Sequence, residues 1–522
     1  MPNGAQILIN GLVDGGVRVC FANPGTSEMH FVAALDEVPE LRPVLCLFEG
    51  VATGAADGYG RMTGRPACTL LHLGPGLAGG LPNLHNARRA ATPVVNVVGD
   101  HSLHHKRLDA PLESDIGALA RTVSAWTRRT YYATELAGDV AAAVAAATGP
   151  PGAIATLVVP ADVSWSQAGK PQAAPRPPAA RRGLVSVDAV TGAAAALRSG
   201  EGEGVALLLG GEAVRGAGLA AAGRVAAATG AKLLCETFPA RLERGAGRPA
   251  VERLAYLASG AQRQLAGLRH LVLAGAASPV AFFAYPGQSG GLVPEGCGVH
   301  VLAAGTEDVT AALEGLAEVV GPCASPARVE AARPALPSGD LTAESAAAVI
   351  GALLPEGAVV VDEANTSGIW LPGATAGTPP HDWLTLTGGS MGQGLPLSVG
   401  AAVACPDRPV LALVGDGASM YTPQALWTQA REGLDVTTVV FANRSYAILN
   451  LELRAVGAVS DGARSRRLLD LSDPPLDFVA LARGMGVPAE RAATAEEFAA
   501  LLKRGLAEPG PFLIDCAVPA LA

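Results

Sequence analysis

Short apolar runs alternate with alanine-rich stretches of helical period along the whole chain, and nearly all the runs end in Gly, Asn, Asp or Glu. In the first third they are "RVCFANPG", "PVLCLFEG", "ACTLLHLGPG", "TPVVNVVGD" and "GAIATLVVPAD". In the middle third they include "VALLLGG", "AKLLCETF", "HLVLAGA" and "GVHVLAAG", and in the last third "AVVVDEA", "DWLTLTGG", "PVLALVGDG", "VTTVVFAN" and "PFLIDCAV". An apolar run without polar alternation, set between helices, is the signature of a parallel strand covered on both faces. The pattern predicts an α/β chain of three doubly wound parallel-sheet domains. Ligands of such sheets sit beyond the carboxyl ends of the strands, so the polar residues there are the candidate chemistry.

Two stretches rich in Pro, Ala and Arg, Ser166 to Gly183 and Cys323 to Asp340, have the composition of semi-extended linkers. They predict domains over 1–165, 184–322 and 339–522. With 49% hydrophobic and 16% charged residues, the chain can fill large cores. A net charge of -9 and the lack of a basic stripe argue against a nucleic-acid partner. The eight cysteines form no C-x-x-C pair and read as reduced, buried thiols. No apolar run is long enough to span a bilayer and the first residues lack the features of a signal peptide, so the expectation is a soluble, cytoplasmic protein.

Chemistry enters at Val414 to Tyr446. "PVLALV" reads as a buried strand with Gly415-Asp416-Gly417 as its exit turn, and "VTTVVFA" as the next strand with Asn443 at its exit. Between them "TPQALWTQAREG" reads as a helix capped by Thr422, with Pro423 in its first turn and Gly433 after its end. A right-handed crossover makes the two strands parallel neighbours. Asp416 and Asn443, 27 residues apart, then face one crevice. Both offer oxygen, the ligand atom that Mg²⁺ takes alongside phosphate oxygens and water. Gly417 lets backbone approach a phosphate closely. Gly-Asp-Gly alone is an ordinary turn; the spacing and the strand-helix-strand frame are what give it meaning.

This segment resembles the metal and diphosphate motif of thiamine-diphosphate enzymes, Gly-Asp-Gly followed after a spacer by Asn-Asn; here Ala442-Asn443 matches the second Asn. Tyr421 and "ALWT" make it similar to the benzoylformate decarboxylase branch in particular. The resemblance implies that Asp416, Asn443 and the carbonyl of Ser445 hold Mg²⁺, and that Gly415, Gly417, Ala418, Ser445 and Tyr446 contact the cofactor. A second match is "EGVATGAADGY", which resembles the family's catalytic-Glu segment and gives that role to Glu49. A carboxylate bonded to N1′ of the aminopyrimidine favours the tautomer that takes the proton from thiazolium C2, and an apolar setting that raises its pKa assists this. By the same resemblance Glu363 lies near the thiazolium, Asn365 and Thr366 contact the diphosphate, and Met391 in "TGGSMGQGLP" wedges the cofactor into its bent shape. The three domains become pyrimidine-binding, central and diphosphate-binding. A site shared between subunits implies self-association as a homodimer or homotetramer.

The reaction this implies is decarboxylation of a 2-oxo acid, carboligation of the resulting enamine, or both, as in benzoylformate decarboxylase. An acetolactate synthase-like transferase is the alternative. Thr26 in "FANPGTSEMHF" stands where the decarboxylases bind the substrate carboxylate, and His72 in "LLHLGPG" where they carry a proton-handling His. Ile448 and Glu452, after Asn443, complete the expected substrate pocket, with Glu452 either pairing with a cationic or hydroxylated substrate or facing solvent. Three departures stand out. "FFAYPGQ" offers only Tyr285 where the decarboxylases carry a second His, Pro111 and Leu112 occupy the positions of the synthases' Phe and Gln, and His104-His105 is offset from the His pair of pyruvate decarboxylases. No FAD contact is matched in "ETFPARLERGAGRPAVERL", so FAD is not expected. A nucleotide-dependent oxidoreductase would need a G-x-G-x-x-G after an early strand, and none is present at the right place. A non-catalytic cofactor binder would have no use for Glu49.

Overall fold

The computed structural model describes residues 1–168, 181–199, 204–322, 325–458 and 462–520. The first linker stretch thus lies largely outside the described residues, as do Cys323 and residue 324 of the second.

The first sheet holds β1 (Val19–Asn23), β2 (Arg42–Leu45), β3 (Ala67–His72), β4 (Val94–Asp100), β5 (Trp126–Arg129) and β6 (Ile154–Pro160), in the order β2-β1-β3-β4-β6-β5. The second is built from β7 (Val205–Leu209) and β8 (Lys232–Cys235). After β9 (Leu242–Arg244), which pairs elsewhere, it continues with β10 (Glu252–Arg253), β11 (His270–Ala274) and β12 (Gly298–Ala303), in the order β10-β8-β7-β11-β12. The third uses β13 (Val359–Glu363), β14 (His381–Thr385), β15 (Val410–Gly415), β16 (Val436–Phe441), β17 (Ala489–Ala492) and β18 (Phe512–Cys516). Its order is β17-β18-β16-β15-β13-β14-β9. Every strand pair among the described residues is parallel except β9 with β14. The α/β class and the three parallel-dominated sheets are as the apolar runs predict. The strands that carry no apolar run, β5, β9, β10 and β17, are short or lie at sheet edges, where a side chain is half-exposed and need not be hydrophobic.

β9 joins the central segment to the third sheet, and polar contacts strengthen that junction. Arg61 pairs with Asp57, both buried, and also donates to the carbonyls of Thr385 at 2.7 Å and Ala240 at 3.3 Å. Gln393 donates to the same Asp57 at 2.7 Å. One buried ion pair thus touches all three segments, and removing one partner of such a pair costs about 3–5 kcal/mol. The small residues after Glu49 serve close packing. The helix Glu49–Thr63 crosses the helix Gly394–Ala404 so tightly that a Cβ on Gly58 would lie 2.1 Å from the Leu397 carbonyl, and one on Gly400 1.8 Å from that of Ala55.

Candidate active site

β15 and β16 are adjacent and in register, with Gly415 beside Phe441. Asp416 and Asn443 therefore leave the same sheet edge side by side. The Asp416 carboxylate accepts the Arg444 amide at 2.6 Å and the Gly417 amide at 2.8 Å. The Asn443 side-chain carbonyl accepts the Ser445 amide at 2.9 Å, which shapes the turn that follows it. Asp416 is buried, and among the described residues no cationic side chain forms an ion pair with it. Burial pushes its carboxyl up, two amide bonds pull it down, and nearby Asp515 adds to the rise. A Cβ on Gly417 would lie 2.4 Å from the Tyr446 ring, so bare backbone is required there.

Glu363, at the end of β13, is buried and accepts three amides: Gly392 at 2.7 Å, Gln393 at 3.1 Å and Gly394 at 2.7 Å. These are the open donors at the start of the helix Gly394–Ala404, so Glu363 caps that helix from another strand. Burial outweighs the three bonds and pushes its carboxyl up to about 7. The capped turn carries Met391, half-buried, and is tied on every side. Thr422 donates to the Gly392 carbonyl at 2.8 Å, Asn83 to the same oxygen at 3.3 Å, and Asn86 to Ser390 at 2.8 Å. Thr422 is thus not the helix cap the sequence predicts. The helix runs Ala425–Glu432, with Gln424 at its N-cap, because the Thr422 hydroxyl is spent on the Met391 turn. Asn365 adopts φ +52° and donates to the Glu363 carbonyl at 3.2 Å, while Thr366 is buried beside it.

Glu49 opens the helix Glu49–Thr63 and is half-buried. Its carboxylate accepts from the Asn23 amide group at 3.0 Å. It lies across the glycine face of the helix Leu73–Arg89, where a Cβ on Gly79 would come within 3.0 Å of it and one on Gly76 within 3.4 Å. At the same sheet edge His72 ends β3, and its Nδ1 meets Glu28 Oε2 at 2.8 Å. The same Glu28 oxygen accepts the Gly25 amide at 2.7 Å, and Gly25 is bare against the His72 ring. Burial pushes the Glu28 carboxyl up, against the pull of His72. Thr26 lies exposed in the same turn. Three non-glycine residues in the left-handed region, Leu73, Asn365 and Arg444, directly follow His72, Ala364 and Asn443. Such backbone costs of order 1–3 kcal/mol each and collects at functional sites.

The chain matches two family profiles: the N-terminal TPP binding domain of thiamine pyrophosphate enzymes over residues 2–119, and the C-terminal TPP binding domain over residues 366–516. It is 62% identical over 522 residues, 99% of each chain, to a Mycobacterium tuberculosis protein whose name, acetolactate synthase large subunit IlvX, is provisional. The chain belongs to the thiamine pyrophosphate enzymes. It is also 31% identical to a benzoylformate decarboxylase of Pseudomonas aeruginosa, over 96% of each chain. In fold it is similar to the thiamine diphosphate-dependent 4-hydroxybenzoylformate decarboxylase of Rhodococcus jostii, with a TM-score of 0.87 at 24% identity over 99% of each chain. It is similar also to the benzoylformate decarboxylase of Polynucleobacter necessarius, with a TM-score of 0.85 at 22% identity over 100% of this chain and 99% of that one. A thiamine-diphosphate-dependent enzyme of the decarboxylase and acetolactate synthase type accounts for all of these.

For a thiamine pyrophosphate enzyme, the matched profiles fall on the segments that hold Glu49 and Asp416, and the central segment lies between them. That segment nevertheless reaches the candidate site. On the helix Ala447–Ala455, Ile448, Leu451 and Glu452 are half-buried, and Tyr285 donates to both Glu452 oxygens, at 3.2 and 3.1 Å. Phe282 sits on Gly389 of the Met391 turn. His104 is largely exposed, 3.9 Å from Asp162, and Leu112 is exposed. Neither Glu28, whose only local signal is its place three residues after Gly25, nor Tyr256, whose hydroxyl lies beside Glu452, stands out in the sequence.

Proposed function

We propose that this protein is a Mg²⁺- and thiamine-diphosphate-dependent enzyme that decarboxylates a 2-oxo acid and releases an aldehyde or passes the fragment to a second carbonyl. The observation that carries the reading is the convergence of Asp416 and Asn443 on one turn, with the buried carboxylate in no ion pair among the described residues. A divalent ion relieves that charge, and the donor set of carboxylate, amide carbonyl and the Ser445 backbone carbonyl is all oxygen, as Mg²⁺ requires. Gly415, Gly417, Ala418, Asn365, Thr366 and Tyr446 would hold the diphosphate, and Met391, on a turn tied by Thr422, Asn83 and Asn86, would support the bent cofactor. When bound, thiamine diphosphate supplies the carbon nucleophile and the electron sink for loss of CO₂. Glu49 keeps an oxygen free to hold a proton on the pyrimidine. Glu363 acts as a positioning residue, since all its bonds go to the Met391 turn. His72, oriented by Glu28, moves a proton at the substrate, and Thr26 offers a hydroxyl to its carboxylate. The Glu28–His72 pair favours a protonating, aldehyde-releasing outcome; the 62% identical relative's name favours the synthase-like alternative.

Exposed Leu47, Ile369, Trp370, Met420 and Tyr421 flank these residues and support self-association as a homodimer or homotetramer. No helix among the described residues is long and apolar enough to cross a membrane. The deciding experiment is a circular-dichroism titration with thiamine diphosphate and Mg²⁺, then assay of a panel of 2-oxo acids for CO₂ and for hydroxy ketone. Saturable cofactor binding with CO₂ release is expected; an unaltered spectrum, or a spectrum that changes equally for Asp416→Ala, sinks the reading.

A further inference from the structure

The segment between β11 and β12, residues 275–297, contains no helix or strand, and loops of that length within a compact fold are usually functional. It carries Phe282 and Tyr285 and is fastened at both arms of the candidate site. Phe282 rests on Gly389, two residues before Met391, where a Cβ would come within 2.5 Å of the ring. Tyr285 binds Glu452, on the helix that begins four residues after Asn443. Behind them the rings of Phe238, Tyr256, Phe282 and Phe283 form a continuous shelf, with neighbouring centroids 5.2 to 6.2 Å apart. The Tyr256 hydroxyl lies beside the same carboxylate. The Glu452 carboxylate, on the helix that follows the metal turn, is therefore held in place by Tyr285, whose loop also rests on the Met391 turn. Burial and the carboxylate itself push both phenols up, so they remain donors at neutral pH.

Glu452 is half-buried, and Tyr285 already donates to both its oxygens, so a cationic group on a substrate would have to displace that phenol. A second negative charge on the substrate tail would meet an immobile like charge beside aromatic rings, where like charges repel more strongly than in water. Resting on the function proposed above, we infer that Glu452, held by Tyr285, makes this site selective for 2-oxo acids with an uncharged tail and turns away 2-oxo dicarboxylates. Specificity of this kind comes from a penalty on the wrong substrate and leaves affinity for the right one unchanged.

The test uses the holoenzyme with 2-oxohexanoate and its dicarboxylate counterpart 2-oxohexanedioate. The readout is the ratio of kcat/KM for the two acids. For an acid that binds without turnover, the readout is the ratio of concentrations that half-perturb the circular dichroism of the bound cofactor. Glu452→Gln should raise the dicarboxylate-to-monocarboxylate ratio about tenfold. Tyr285→Phe, which strips the donor from both Glu452 oxygens, should lower the ratio further below wild type. A general loosening of the fold would depress both acids together and leave the ratio where it was; that outcome, in either variant, overturns the inference. A holoenzyme that responds to neither acid overturns it too. Failure of the cofactor to bind at all would instead sink the functional reading on which the inference rests.

Discussion

Two glutamates, Glu49 just beyond one parallel strand and Glu363 at the end of another, each lie against glycine-rich backbone, yet they have opposite surroundings. Glu363 is buried with three backbone amides on its two oxygens. Glu49 is half-buried with one side-chain donor, over bare glycines. The first carboxylate is consumed by architecture: it terminates a helix and fixes Met391. The second keeps lone pairs in reserve, facing a surface where no side chain intrudes. The same residue type at equivalent places in two sheets becomes a structural cap or a candidate reagent according to how many donors reach it.

Substitution is the sharpest way to break this comparison. Glu49→Gln should lower turnover by roughly 10²–10³-fold while thiamine diphosphate still binds within a few-fold, as read by circular dichroism beside steady-state kinetics. Equal losses in binding and turnover would put Glu49 in the same structural class as Glu363. Glu363→Ala should destabilise the protein by about 2–4 kcal/mol in urea unfolding, since three buried amides lose their acceptor. Amide exchange at Gly392 to Gly394 should accelerate in parallel; unchanged exchange there would contradict the cap. Asp416 supplies a third strand-end carboxylate for comparison. With cofactor present at ~100 times its Kd, Mg²⁺ should stabilise the wild type by about 2–3 kcal/mol, an increment that chelation removes and Asp416→Ala lacks. Calorimetry with and without chelator measures it.

A smaller effect follows from titration. The Glu363 carboxyl stands at about 7, against about 4.3 in an unfolded chain. Between those values the folded state holds a proton that the unfolded state has released. The associated stability is therefore complete below about pH 4.3 and is lost as pH rises toward 7. Glu363→Gln should remove that slope, so the wild-type-minus-variant stability must decline across this window; a flat difference would show that burial does not control the group. The smallest change is expected at Thr422→Val, about 1 kcal/mol, from one hydrogen bond to the Met391 turn.

How much of this the sequence discloses depends on the range of the interactions. The inner strands are legible because a parallel strand covered on both faces must be apolar throughout, and their ends are legible because ligands gather there. Asp416 with Asn443 is readable as a pair because one crossover fixes their separation. Glu28 is not readable, because its significance lies in His72, 44 residues away, and nothing in "TSE" distinguishes a turn-closing Glu from one that orients an imidazole. Tyr285 and Glu452 are 167 residues apart, and only the packing of a loop without secondary structure brings them together. Thr422 shows the converse error: local rules make it a cap, whereas a tertiary acceptor claims its hydroxyl.

The antiparallel pairing of Leu242–Arg244 with His381–Thr385 has a consequence for how the molecule can be cut. Excising the middle of the gene and rejoining the flanks would leave Trp383 and its neighbours as a naked ladder of amides and carbonyls, an invitation to indiscriminate strand addition and precipitation. The three segments are therefore not interchangeable cassettes, and chimaeras with other enzymes of this kind should carry Leu242–Arg244 along with the C-terminal half if they are to remain in solution.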